Sequence, residues 1–87
     1  MPSYQGRAEI FRIHSAGMAI KDSVDFEALA GRTDGATGAD IKSICTEAGM
    51  FAIREERDYV TAADFDRAVE KVVGEEELRK ESVTMFA

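Results

Sequence analysis

Eighty-seven residues suffice for one small domain, which buries only about 60–65% of its unfolded surface and so has modest stability. The composition, 45% hydrophobic and 32% charged, is that of an ordinary soluble globule; no run nears the ~18 apolar residues of a membrane span, and no basic start followed by an apolar stretch marks a secretion signal. A net charge of −6 argues against a nucleic-acid partner, and a single cysteine rules out an internal disulfide, which suits a reducing cytoplasm.

Residues 1–4 read as a lead-in loop, with Pro2 fixing the backbone ahead of a helix from about Gln5 to Ser15. Arg7, Ile10, Phe11 and His14 share one side of it, so by spacing alone His14 continues an apolar stripe and reads as a packed core histidine. Gly17 is a suitable stop. A second, short helix over about Val24 to Gly31 has a polar start at Asp22-Ser23 and carries Phe26, Leu29 and Ala30 at i, i+3 and i+4. In the following loop, Asp34-Gly35 signals a turn.

The third helix, about Thr37 to Arg57, is the most strongly marked. Thr37 and Asp40 have the spacing of a capping box and set an acid on the positive end of the helix dipole. Ile41, Ile44, Cys45, Ala48 and Ala52 then form one apolar face, leaving Lys42, Ser43, Glu47 and Glu55 off it. Cys45, without a basic neighbour in sequence, reads as a small core residue and not as a nucleophile. Gly38-Ala39 leaves the first turn without bulk, where another group can approach the backbone closely.

Asp58-Tyr59-Val60 is a short extended link. Thr61 and Asp64 form a second capping box, opening a fourth helix to about Val73 with Phe65, Ala68, Val69 and Val72 as its buried row and Gly74 as its stop. Residues 75–87, which begin with Glu75-Glu76-Glu77, are predicted to be a flexible acidic tail with a frayed helical stretch through Leu78 to Lys80. No repeat occurs and no alternation suggests a sheet strand. The fold class is therefore all-α, a small four-helix bundle over residues 5–74.

Ile10-Phe-Arg-Ile-His14, Val24-Asp-Phe-Glu-Ala-Leu-Ala30, Thr33 to Ile41, Ile44-Cys-Thr-Glu-Ala-Gly-Met50, Ala52-Ile-Arg-Glu55 and Val60-Thr-Ala-Ala-Asp-Phe65 follow one another in an order that resembles the helical lid of AAA+ ATPases. The resemblance runs from about Gly6 to Val73. Within that superfamily the Ile44 to Met50 run is most similar to the proteasomal ATPases, both the archaeal nucleotidases that activate the proteasome and the regulatory-particle ATPase subunits of eukaryotes.

That resemblance implies that His14 sits against the ribose and adenine of ATP or ADP, with Gly38 and Ala39 packed on the base. The neutral Gly-Ala stands where many other AAA+ proteins place a sensor arginine. It further implies that nucleotide is bound only in the full-length protein, of which Met1 begins a piece. The lid of such a protein packs on the neighbouring subunit of a hexameric ring, while the isolated domain is expected to be a monomer. Proteasomal ATPases end in a hydrophobic residue, a tyrosine and any residue, which dock on the core proteasome. Here the end is Met85-Phe86-Ala87, so the ring is kept while a hydroxyl able to make one hydrogen bond of about 0.5–1.5 kcal/mol is missing.

The residues supply no catalytic constellation of their own. The phosphate-cradling pattern is absent, Gly31, Gly35 and Gly38 do not fit dinucleotide spacing, neither Gly35 nor Gly38 follows the carboxylates of an EF-hand, and one His with one Cys gives too few ligands for zinc. The lone chain is expected not to hydrolyse ATP. Arg54-Glu-Glu-Arg57 with Asp58 either pairs within its own helix, at about 0.2–0.5 kcal/mol per pair, or meets a neighbouring subunit. Two other readings stay open: a stand-alone helical interaction module, and the lid of a segregating AAA+ ATPase outside the proteasomal branch.

Overall fold

The structure, a computed structural model, describes residues 1–21 and 23–86, of which 79–86 are described as backbone only. Four helices follow in chain order: α1 Tyr4–Ser15, α2 Phe26–Gly31, α3 Gly38–Arg54 and α4 Ala62–Phe86. The all-α bundle is as the periodicity predicts. Helix α3 lies at its centre, packed on α4 and α1, while α2 packs on α1. Among the described residues the one extended pairing is an isolated parallel bridge between Ile20 and Val60, held by Lys21 N–H to the Val60 carbonyl (3.1 Å) and Val60 N–H to the Ala19 carbonyl (2.8 Å).

The predicted apolar faces meet in a single core. Phe11, Ile41, Ile44, Ala48, Phe65 and Ala68 are fully enclosed, with Cys45, Ala52, Val69 and Val72 at its margin. Phe26 ties the short α2 into it, lying between Phe11 (ring centroids 6.4 Å apart, stacked) and Phe65 (6.0 Å, edge-on). A helix of this length has no stability of its own, so these ring contacts hold it.

Both capping boxes form. Asp40 N–H donates to Thr37 Oγ1 (3.1 Å) and Thr37 N–H to Asp40 Oδ2 (2.9 Å); Asp64 N–H donates to Thr61 Oγ1 (3.4 Å) and Thr61 N–H to Asp64 Oδ2 (2.9 Å). Three predicted boundaries move. Helix α2 starts at Phe26, not Val24, because the Asp25 carboxylate accepts from Ala28 N–H (3.0 Å) and so takes the capping role expected of Asp22-Ser23. Residue 22 lies outside the described residues.

Helix α3 ends at Arg54, not Arg57. Glu56 adopts a left-handed φ of 57°, Glu56 N–H bonds to the Ile53 carbonyl (2.9 Å) and Arg57 N–H to the Ala52 carbonyl (2.9 Å), the paired closing bonds of a Schellman motif. Helix α4, finally, runs straight through Gly74, where a stop was predicted, and reaches Phe86. A glycine in a helix costs about 1 kcal/mol, too little to end one that has good formers on both sides.

Leaving the helix lets Arg57 do something its sequence position hides. Its guanidinium grips Asp64 with two hydrogen bonds (2.8 and 2.9 Å), donates to the Tyr59 carbonyl (3.0 Å) and meets Glu55 (2.7 Å). Asp64 is buried, 1% exposed, and Arg57's hydrogen bonds hold its carboxyl down to about 2 despite the desolvation that works the other way. The same bonds push the Arg57 pKa upward. Asp64 therefore caps α4 and fastens the α3–α4 corner at once, in place of the intrahelical pairing that is one of the two readings for Arg57.

Candidate functional site

The capping box points α3 so that its first turn is open to the surroundings. Gly38 is half-buried and Ala39 exposed, and a Cβ built on Gly38 would meet nothing within 4 Å. Continuing along the helix, Gly38, Lys42, Cys45, Gly49 and Ile53 follow at i, i+4, i+7, i+11 and i+15, with Ala39, Thr46 and Met50 beside them. This row flanks the core face of α3.

Across from the row stands the end of α1. His14 is exposed, and with Met18 it faces Lys42, Cys45, Thr46, Met50 and Ile53 over a groove of about 370 Å³. Spacing alone places His14 in the core; the structure corrects this, because the buried arc of α1 runs through Arg7, Ala8, Phe11 and Ser15, and His14 lies at the edge of that arc, on the exposed side. Lys42 connects the predicted residues, facing His14 while sitting one turn beyond Gly38 and Ala39 on their side of the helix. Neither Gly38 nor Ala39 lines the groove with His14; they lie one helical turn before Lys42, which does.

Gly49 gives the groove its depth. Met18 lies across it, with the thioether methyl 3.5 Å from where a Gly49 Cβ would stand. Beyond Met18 a second hollow of about 230 Å³, sharing Met18, Gly49 and Ile53 with the first, continues to Arg57 and Tyr59. The Tyr59 ring carries Lys21 Nζ at 4.9 Å and the Arg57 guanidinium at 5.5 Å. The groove thus has an apolar floor, an imidazole and an ammonium at one end, and two cations around a ring at the other.

Burial pushes the Cys45 thiol up to about 11, so it stays protonated and unreactive at neutral pH, as the core reading expects. Among the described residues no group of three or more His, Cys, Asp or Glu side chains could hold a metal ion, and no helix is long and apolar enough to cross a membrane. The predicted docking residues Met85, Phe86 and Ala87 fall outside the described side chains.

Sequence reasoning missed the middle of the groove, Met18, Lys42, Thr46, Gly49, Met50 and Ile53. A signal was there: Met50 and Ile53 are large apolar residues three apart on α3 and off its core stripe, and they are 41% and 72% exposed.

A family model described as the AAA+ lid domain matches residues 23–67. The proteasome-activating nucleotidase of Methanothermobacter thermautotrophicus is 58% identical over 89 residues, covering 99% of this chain and 22% of that protein. The proteins of the same name from Archaeoglobus fulgidus and Thermococcus kodakarensis are 59% and 51% identical, over 84% and 98% of this chain and 18% and 21% of their own length. The chain thus spans about a fifth of the length of the curated relatives it matches.

Proposed function

The chain belongs to the AAA+ lid domain family, and from that premise we propose that it is the C-terminal lid subdomain of a proteasome-activating ATPase, a cytoplasmic hexamer that uses ATP to unfold proteins for the core proteasome. The relatives named as proteasome-activating nucleotidases support this branch over a segregase. The observation that carries the site is the exposure of His14. A histidine that spacing assigns to the core stands instead at the rim of a groove, whose Lys42 lies one turn beyond the Gly38-Ala39 start of α3. We assign His14, Gly38 and Ala39 to the adenine nucleotide, with catalysis supplied by parts of the ATPase outside this chain.

The test uses the full-length ATPase. Gly38→Leu should lower ATP and ADP affinity by roughly tenfold or more, equivalent to ~1.4 kcal/mol, because its side chain projects into the space assigned to the base. The fold should survive, since nothing in the lid lies within 4 Å of the new Cβ. Ala39→Leu should behave alike, and His14→Ala should weaken binding with little change in melting temperature. Unaltered nucleotide affinity in a folded Gly38→Leu protein would remove the assignment.

The tail enters the same reading: Met85, Phe86 and Ala87 dock on the core proteasome, six weak contacts in a ring reinforcing one another through effective concentration.

A further inference from the structure

A separate cavity of about 350 Å³ opens between the α2–α3 loop and α4, with an apolar floor of Ala36, Ile44, Val72 and Val73. None of His14, Gly38 and Ala39 lines it. Its mouth is formed in part by Met1, whose methyl carbon lies 4.0 Å from where a Gly35 Cβ would stand. Gly35 itself turns the loop there, with a φ of 83° and Ala36 N–H closing on the Thr33 carbonyl (3.0 Å).

The path by which the chain reaches this mouth is fixed by one buried side chain. Arg7, 5% exposed, donates from Nε and Nη2 to the Ala30 carbonyl (3.1 and 2.8 Å) and from Nη1 to the Pro2 carbonyl (3.1 Å), and Nη1 lies 3.7 Å from an Asp34 carboxylate oxygen. The first residues, the end of α2 and the loop beside the cavity are thereby joined at a single guanidinium, whose planar fork suits several fixed acceptors. Ser3 secures the same stretch from the other side, its hydroxyl accepting from Gly6 N–H (3.1 Å) and its carbonyl from Arg7 N–H (2.8 Å). Residues 2 and 3 have little freedom left.

Met1 is 87% exposed, so it borders the cavity without filling it. The relatives are several times longer than this chain. We propose that the cavity is the seat of the polypeptide segment that directly precedes Met1 in the parent ATPase, forming an intrachain joint whose angle Arg7 sets by holding Pro2. This rests on the reading of the chain as the lid of a longer ATPase. Four apolar side chains on the floor fit an apolar side chain from that extended segment, and the pinned lead-in delivers the segment at the mouth. Arg7 is then a positioning residue for the lid as a whole.

Glu77 provides the test, because it is exposed and lines the cavity. Maleimide labelling of Glu77→Cys, read by mass spectrometry of the peptide holding residue 77, is compared between the 87-residue chain and the full-length ATPase kept monomeric by dilution. Ser43→Cys, exposed on α3, serves as the reference. Labelling of position 77 should slow about tenfold in the full-length monomer while position 43 is unchanged, as expected for a site closed by its own chain. Arg7→Lys, too short a fork to hold Pro2 and Ala30 together, should restore fast labelling at position 77 in the full-length protein. Equal labelling in both lengths overturns the proposal. So does protection that appears only on ring assembly, since the occupant would then be a neighbouring subunit, and protection that survives a folded Arg7→Lys removes Arg7's part. The comparison of lengths carries no Arg7 variant and stands however that variant folds. Nucleotide binding is measured on the same full-length sample; its absence would sink the lid reading whatever the labelling shows.

Discussion

Asp64→Asn isolates the α3–α4 corner in a single atom exchange. The Asp64 carboxyl ordinarily titrates at 3.8 and is held at about 2 in the fold by Arg57. Between those values the unfolded chain binds a proton that the folded chain does not, so the contribution of this group is complete above pH 4 and drains away as the pH falls through the folded value. A shift of nearly two units corresponds to roughly 2 kcal/mol. That is a large share of the few kcal/mol to ~10 kcal/mol that a domain of this size commands. Asp64→Asn should therefore lower stability by roughly 2 kcal/mol at neutral pH, and the difference from the unmodified chain should shrink as both are taken from pH 5 to pH 2. Urea unfolding followed by circular dichroism at half-unit pH steps would measure it. A difference that stays constant down to pH 2 would refute the reasoning, because the loss would then come from packing or from the cap and not from the ionised clamp.

Other expectations follow from single backbone and side-chain positions. Glu56→Gly should stabilise the isolated chain by about 0.5–1 kcal/mol in the same urea assay, since glycine takes the left-handed φ of 57° without a Cβ clash. Gly74→Ala should also stabilise, by about 0.5–1 kcal/mol, because a Cβ there meets nothing within 4 Å and α4 is helical on both sides. Cys45 should react with a thiol reagent only at the rate of unfolding, and fast labelling in native buffer would contradict its burial. Removing Met85 to Ala87 should leave the melting temperature nearly unchanged while abolishing stimulation of the core proteasome by the full hexamer; the opposite pattern would make the tail structural.

Local signals were legible in the sequence and contacts between distant residues were not. The Thr37/Asp40 and Thr61/Asp64 boxes and the α3 and α4 core rows depend on neighbours three or four positions apart, which the chain displays openly. Arg7 looked like one member of a helix face because its acceptor, the Ala30 carbonyl, is 23 positions away. The end of α3 was misplaced because the usual mark of a Schellman stop is glycine, and this chain puts Glu56 there. With His14, periodicity gave a stripe through Arg7 and Phe11 but carries no information on which way the covered arc leans, and it leans toward Ala8 and Ser15, leaving His14 exposed. The nucleotide assignment of His14, Gly38 and Ala39 came from resemblance, and the middle of the groove lay hidden because an exposed Met50 or Ile53 is only meaningful once Met18 and Gly49 are seen beside it.

The uninterrupted course of α4 has a mechanical consequence. At 1.5 Å per residue its 25 residues make a rod of ~37 Å, rooted at the Arg57–Asp64 corner and free of any glycine-induced break at Gly74. A tilt of the bundle by about 10° would swing the far end of such a rod by roughly 6 Å, a little more than one helical turn. Small rotations of the lid are therefore geared up along the helix, and a tail residue at its tip travels much farther than any residue in the groove.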